Sequence, residues 1–305
     1  MASKEISHTK YPKISIVTPT YNQSLFIEET IKSVIQQSYP NLEYIIIDGG
    51  STDGTVDIIK KYEKHLKFWI SEKDKGQANA INKGLQHCTG EIFNWLNSDD
   101  YLEAGALQKI ADAFQDRTVQ MVAGKVRRFY RDKEEFISNQ LLSAKGLMCW
   151  EPGVQFVQPG VWMRRDLVEQ AGGIDEQFHY AFDWDLYIRY LYHFPKVKEV
   201  PELLVHFRLH DASKTHKFAD RFHVEERLVI EKLGELPVYI ALKKVCDYKT
   251  QKSKWTAFLS KQSKASYSAL RKCTVVLREM NKYHRVSFSR QTAGAFRAFF
   301  QKRII

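Results

Sequence analysis

The stretch LEYIIID, residues 42–48, decides the fold. It is almost continuously apolar and ends at a carboxylate followed by Gly49, Gly50 and Ser51. A half-buried strand alternates apolar and polar residues, whereas this one reads as buried on both faces, as in a parallel sheet covered by helices. Upstream, KISIVT (13–18) is a second β-branched run, closed by Pro19 and the polar turn Tyr21-Asn22-Gln23. Between the two runs, Phe26, Ile27, Ile31, Val34 and Ile35 recur at helical spacing. Downstream, Ser51, Thr52 and Asp53 offer caps for a helix through Val56, Ile58 and Ile59. KFWI (67–70), a helix from Ala78 and EIFNWL (91–96) continue the rhythm. Such a strand–helix alternation requires right-handed crossovers and a largely parallel sheet with helices on both faces. Residues 120–215 are less regular, with strand-like runs at 121–123, 160–163 and 203–207 and a helix over 183–191.

The strands also carry the polar residues to one place. In such sheets ligands bind beyond the carboxyl ends of the strands. Thr18-Pro19-Thr20, Asp48, and Asn97-Ser98-Asp99-Asp100 each follow a strand directly. Two adjacent carboxylates persist in a cleft where a cation offsets their repulsion, and oxygen donors of this type suit Mg²⁺ or Mn²⁺. The same residues also suit a plain turn in which Ser98 and Asp99 cap a helix from Leu102. Gly76 introduces a helix whose amides can attract an anion. Asp183 and Asp185 lie two apart on one helix, so only one of them enters the cleft, and the other caps the helix or pairs with Arg189. A cleft carboxylate can serve as general base. His210 follows another strand-like run and reads either as a ligand or as a structural histidine.

The chain has 305 residues, 44% of them hydrophobic and 27% charged, which excludes global disorder and a disulfide-stapled miniature. No apolar run approaches the roughly 20 residues that span a bilayer. The opening MASKEISH lacks the apolar core of a signal peptide. Cys88, Cys149, Cys246 and Cys273 form no CxxC pair, which argues against zinc ribbons and redox motifs and for a reduced, cytoplasmic setting. The net charge of +10 belongs entirely to the C-terminal quarter: residues 231–305 hold 17 basic and 4 acidic residues, against 29 and 32 before them.

Seven motifs in order carry a resemblance: IVTPTYN (16–22), IDGGSTDGT (47–55), DKGQA (74–78) with INKG (81–84), WLNSDD (95–100), QPGVWMRR (158–165), FDWDLYIR (182–189) and FRLHDAS (207–213). Together they resemble the family 2 glycosyltransferases, inverting enzymes of the GT-A fold. The resemblance implies an α/β, Rossmann-like, mostly parallel mixed sheet over residues 1–220, with a nucleotide-binding half at about 12–115 and an acceptor half at about 116–220. It implies transfer of a sugar from a nucleotide-diphosphate donor, uridine by analogy, to an acceptor hydroxyl. Thr18, Pro19, Thr20 and Tyr21 would line the nucleoside pocket with Gly76; Asp48 would accept a hydrogen bond from uracil, and Asp99 would lie near the ribose. Asp100 and His210 would hold Mn²⁺ or Mg²⁺ on the diphosphate, with Ser213 beside them, and Asp183 would be the general base. Gln158, Trp162, Arg164 and Arg165 would face the sugar or acceptor, with Asp185 a substitute base. Two positions depart from the family pattern: Phe182 stands where a Glu is frequent, and Gly49 where a second Asp is usual.

Residues 221–305 read as a basic helical appendage. Basic and aromatic residues interleave from Tyr239, Lys243 and Lys244 to Phe296, Phe299 and Phe300. That pattern suits an anionic membrane surface at the inner face, near a glycan or lipid-linked acceptor of surface polysaccharide synthesis. It also suits helices packed on the domain with a solvated basic face. A nucleic-acid binder, the third reading of the basic tail, leaves the acidic cleft unexplained, so no nucleic-acid partner is expected. A non-catalytic nucleotide-sugar binder or scaffold would have to keep costly buried carboxylates without using them.

Overall fold

The computed structural model describes residues 11–214, 219–244 and 246. Strand β1 (Ile14–Thr20) lies at the centre of the nucleotide-binding half, and every residue in it is buried. It pairs in parallel with β2 (Leu42–Asp48) and β4 (Ile92–Trp95), and β2 pairs in parallel with β3 (Phe68–Ser71). Alternation along β1 and β2 sends side chains to two apolar layers. Ile14, Ile16, Tyr44 and Ile46 join a core built with α1 (Ile27–Ile35) and α4 (Ala106–Ala113). Val17 faces the other way, against α3 (Gln77–Gln86), where Gly84 packs so closely that a Cβ would come within 2.4 Å of it. Helix α2 (Thr55–Lys61) connects β2 to β3.

The sheet continues as β3-β2-β1-β4-β8-β6-β9-β5. Strand β8 (Val161–Arg164) runs antiparallel to both neighbours, β4 and β6 (Met121–Tyr130), while β9 (Val197–Arg208) runs parallel to β6. The acceptor half thus adds antiparallel pairing that the strand-like runs did not specify. A hairpin strand β7 (Lys133–Ser138) pairs with β6, and the two-residue β5 (Tyr101–Leu102) pairs with β9. The expected helix start at Leu102 is corrected: Leu102 is in β5, and the helix begins at Ala106. Short helices α5 (Ala144–Met148) and α6 (Arg165–Gln170) flank β8, and α7 (Phe182–His193) follows them.

Two compact units are present, Met1–Val229 and Ile230–Ile305, with α8 (Ala219–Glu235) running across the boundary. Tyr239, Lys243 and Lys244 are described, and the remaining aromatic and basic tail residues named above lie outside the described residues. Among the described residues no helix is long and apolar enough to cross a membrane.

Candidate active site

Parallel register brings the strand ends to one edge: Thr20 opposes Asp48, Asp48 opposes Ser71, and Val17 opposes Trp95. Beyond that edge lies a cleft of about 620 Å³, a volume suited to a nucleotide-sized ligand. Pro19, Thr20, Tyr21, Gly76 and Asp99 line it from the nucleotide-binding half. Gln158, Asp183 and Ser213 line it from the acceptor half. Gly76 has φ +110°, a conformation that favours glycine, and its N–H donates to Asp74 Oδ1 at 2.7 Å.

The antiparallel register of β5 on β9, Tyr101 opposite His206, sets the turn before β5 beside the turn after β9. His210 Nε2 therefore lies 3.1 Å from Asp99 Oδ2, with its ring held against Phe26. Ser213 donates to the carbonyl of His210 at 2.8 Å and so fixes the turn. Asp100 points the other way. It is fully buried, accepts from the Arg208 backbone N–H at 3.0 Å and meets Asn97 Nδ2 at 3.4 Å. Burial first, and the Asp99 charge second, push its carboxyl well above the usual range. Asp100, expected beside His210 as a metal ligand, is thus turned away from it, and the carboxylate beside His210 is that of Asp99. Among the described residues no three His, Cys, Asp or Glu side chains converge to hold a metal on their own. Asp99 and His210 fit a cation that takes its remaining oxygens from a diphosphate, the usual habit of Mg²⁺.

Asp183 opens into the cleft from the first turn of α7, and burial raises its carboxyl to about 6. Asp185, one residue beyond Trp184, is 1% exposed and bonded by the Arg189 guanidinium at 2.6 and 2.9 Å. Arg189 also donates to the carbonyls of Ala171 and Gly173, so this pair ties α7 to the turn after α6. Asp185 is therefore sealed off and does not face the cleft as a substitute base.

Five further expectations are corrected. Thr18 is buried with its hydroxyl on Tyr44 Oη at 3.1 Å. Asp48 is fully buried, and its carboxylate is saturated by the N–H groups of Gly50 and Ser51 and the hydroxyls of Ser51 and Ser71. It shapes the turn and presents nothing to a base ring. Trp162 is a core residue on β8. Arg164 donates to the carbonyls of Val119 and Phe114, and Arg165 donates to that of Gly90 and pairs with Glu169. Alternation on β8 explains the error, because QPGVWMRR reads as one motif while only its first residues reach the cleft.

Sequence reasoning missed several residues. Glu225 on α8 accepts the N–H groups of His179, Tyr180 and Ala181 at 3.0, 2.7 and 2.9 Å. Glu225 thereby ties down the segment that leads into α7 and presents Asp183. Lys214 brings an ammonium to Gln77 Oε1 at 2.9 Å in the cleft wall. Trp150 stacks on Trp184, with ring centroids 5.8 Å apart, at the cleft rim. Only Lys214 had a sequence signal, by following the HDAS turn; the others come from segments with no motif.

A mixed, mostly parallel sheet with a polar cleft beyond its parallel strand ends, lined by Asp99 and Asp183, has the GT-A architecture. The chain belongs to glycosyl transferase family 2, whose pattern matches residues 15–172. It is 39% identical over 110 residues to the putative teichuronic acid biosynthesis glycosyltransferase TuaG of Bacillus subtilis, covering 35% of this chain and 44% of that protein. It is 33% identical over 103 residues to the GalNAc(5)-diNAcBac-PP-undecaprenol beta-1,3-glucosyltransferase of Campylobacter jejuni, covering 32% and 33%. The match therefore spans less than half the length of either relative. In fold it resembles S. aureus TarS in complex with UDP-GlcNAc, with TM-score 0.63, 18% identity, and coverage of 77% of this chain and 70% of that one.

Proposed function

We propose that this protein is an inverting glycosyltransferase that moves a sugar from a nucleoside diphosphate donor, of the UDP-sugar class, to an acceptor hydroxyl in surface polysaccharide or glycolipid synthesis. The observation that carries the reading is the recessed Asp183 carboxylate in the same cleft as the Asp99–His210 pair. Asp183, raised to about 6 by burial, is a stronger base than an ordinary carboxylate and is still ionised at neutral pH. It takes the proton of the acceptor hydroxyl as that oxygen bonds to the sugar's anomeric carbon. The bond from that carbon to the diphosphate breaks on the opposite face, and the nucleoside diphosphate leaves. Asp99 and His210 would hold a divalent cation, which offsets charge on the departing diphosphate. Glu225 keeps the segment before Asp183 in place, and Trp150 with Trp184 walls the acceptor side.

The acceptor in this reading is a glycan on a lipid carrier, the kind of acceptor named for the Campylobacter relative. The excess of basic residues over 231–305 then draws the enzyme toward anionic lipid. The test is calorimetric titration of UDP with Mn²⁺ and then with EDTA, followed by transfer assays. Metal-dependent binding that Asp99→Ala abolishes and Asp100→Asn spares supports the reading. Absence of binding by every nucleoside diphosphate overturns it.

A further inference from the structure

Residues 139–157 carry none of the sequence motifs, yet they deliver an aromatic ring to the cleft rim. Asn139 clamps the base of this excursion. It donates to the carbonyls of Gly124 and Val157 at 3.0 and 3.1 Å and accepts the Val157 N–H at 2.6 Å. Gln140 and Gln155 then exchange backbone hydrogen bonds at 3.1 and 3.3 Å. Inside the closed loop, Ser143 caps α5 by accepting the Gly146 N–H at 2.9 Å. The helix packs on α7 with Leu147 and Met148 buried. The return past α5 is fixed as well: Trp150 donates to the Leu147 carbonyl at 3.1 Å and Glu151 to that of Gly146 at 2.9 Å.

This framework holds Trp150 in a costly posture. Its φ is +45°, in the left-handed region that a bulky residue rarely adopts, and it is 50% exposed. So exposed an indole buries little area in return, and stability alone does not account for the strain. Beneath it lies Trp184, 3% exposed, with 9° between the two ring planes. Trp184 directly follows Asp183, and all three residues line the cleft. A flat apolar surface on a rigid mount thus stands beside the carboxylate that would activate the acceptor. A pyranose ring suits it: its C–H bonds form a flat apolar face, while its hydroxyls project from the edge toward a base. An acyclic polyol has the same hydroxyls and no such face.

We infer that Trp150 selects the acceptor, with the terminal pyranose ring stacked on its indole and one ring hydroxyl turned to Asp183. The inference rests on the glycosyltransferase reading above. It adds that the acceptor is a cyclic sugar chosen by its C–H face, and that an acyclic polyol or a bare lipid chain is refused.

Three probes with one chain in common test it: hexyl β-glucoside, hexyl β-galactoside and the hexyl ether of glucitol, which keeps the hydroxyls but has no ring. Each is titrated by calorimetry into the whole chain saturated with UDP and Mn²⁺. The wild type should bind at least one glycoside about fivefold or more tighter than the ether, the scale of a ring-stacking contact. Trp150→Gly should lose that preference, and Trp150→Phe, which keeps a flat ring, should recover most of it. UDP affinity should be the same in all three proteins. Glycine accepts a positive φ without strain, so Trp150→Gly should keep its fold and its Tm.

A Trp150→Gly protein that still prefers the glycoside overturns the inference, as does a wild type that binds all three probes alike or none of them. Joint loss of UDP and glycoside with a lowered Tm also overturns it, by making Trp150 a packing residue only. In each of these cases UDP binding by the wild type leaves the enzyme reading standing. A wild type that binds no nucleoside diphosphate removes both.

Discussion

The end of β4 and the start of α7 each carry two closely spaced aspartates, and each turns one outward and seals the other inside. At the strand end, Asp99 meets His210 in the cleft while Asp100 is buried on the Arg208 backbone N–H. At the helix start, Asp183 opens to the cleft while Asp185 is buried on the Arg189 guanidinium. The inward partners differ in kind. Asp100 is held by neutral groups in a setting that favours its protonated form, whereas Asp185 is bonded by the Arg189 guanidinium. The lesson is that proximity of two carboxylates in sequence says nothing about shared function.

That contrast can be broken most directly at the outward residues. Asp183→Asn should cut transfer by about 10²–10⁴-fold while leaving UDP affinity within a few-fold, measured by single-turnover kinetics beside calorimetry. If the asparagine variant keeps its rate and Asp185→Asn loses it, the two helix carboxylates have been assigned the wrong way round.

The inward residues should separate next, by stability. Asp185→Ala leaves a buried guanidinium without its carboxylate and should cost about 3 kcal/mol in urea unfolding. Asp100→Asn keeps an oxygen for the Arg208 N–H and should cost less than about 1 kcal/mol. Equal losses would show that the two seals are alike.

Glu225→Ala strips one acceptor from three consecutive backbone N–H groups. It should lower kcat by about tenfold with KM for the donor little changed, since a 1 Å displacement of a reacting group can cost as much or more. Glu225→Gln, which keeps one acceptor oxygen, should recover part of the loss.

The smallest effect is in the pH profile. Burial raises Asp183, so its proton-accepting form is lost as pH falls through about 6. Log kcat should rise with pH up to about 6 and then level off, and an acid limb near 4 would mean that the base is a solvated carboxylate instead.

The nucleotide-binding half was legible because its signals are local. Continuous apolar strands, helical spacing in α1 and glycine turns each fit within about ten residues, and parallel strands necessarily deliver their following turns to one edge. The acceptor half was less so. Strand β7 is polar and exposed, β5 has two residues, and the helices flanking β8 are five and six residues long. Such elements are defined by pairing across the sheet, which periodicity does not register. The motif QPGVWMRR illustrates the limit: Gln158 reaches the cleft, donating to Asn94 and the Trp95 carbonyl, but Trp162 and Arg164 follow the strand into core and edge.

By itself the sequence determined the α/β rhythm, the edge where Thr20, Asp99 and Asp183 gather, and the family. Only the tertiary structure decided which member of each aspartate pair opens to the cleft, that Asp48 is saturated, and that Glu225 steadies the segment before α7. The physical reason is one of range. Secondary structure and turns are set by neighbours in the chain, but a carboxylate's orientation is set by whichever donor waits for it: Asp100 meets the Arg208 N–H at the end of β9, and Glu225 on α8 meets the N–H groups of 179–181 before α7.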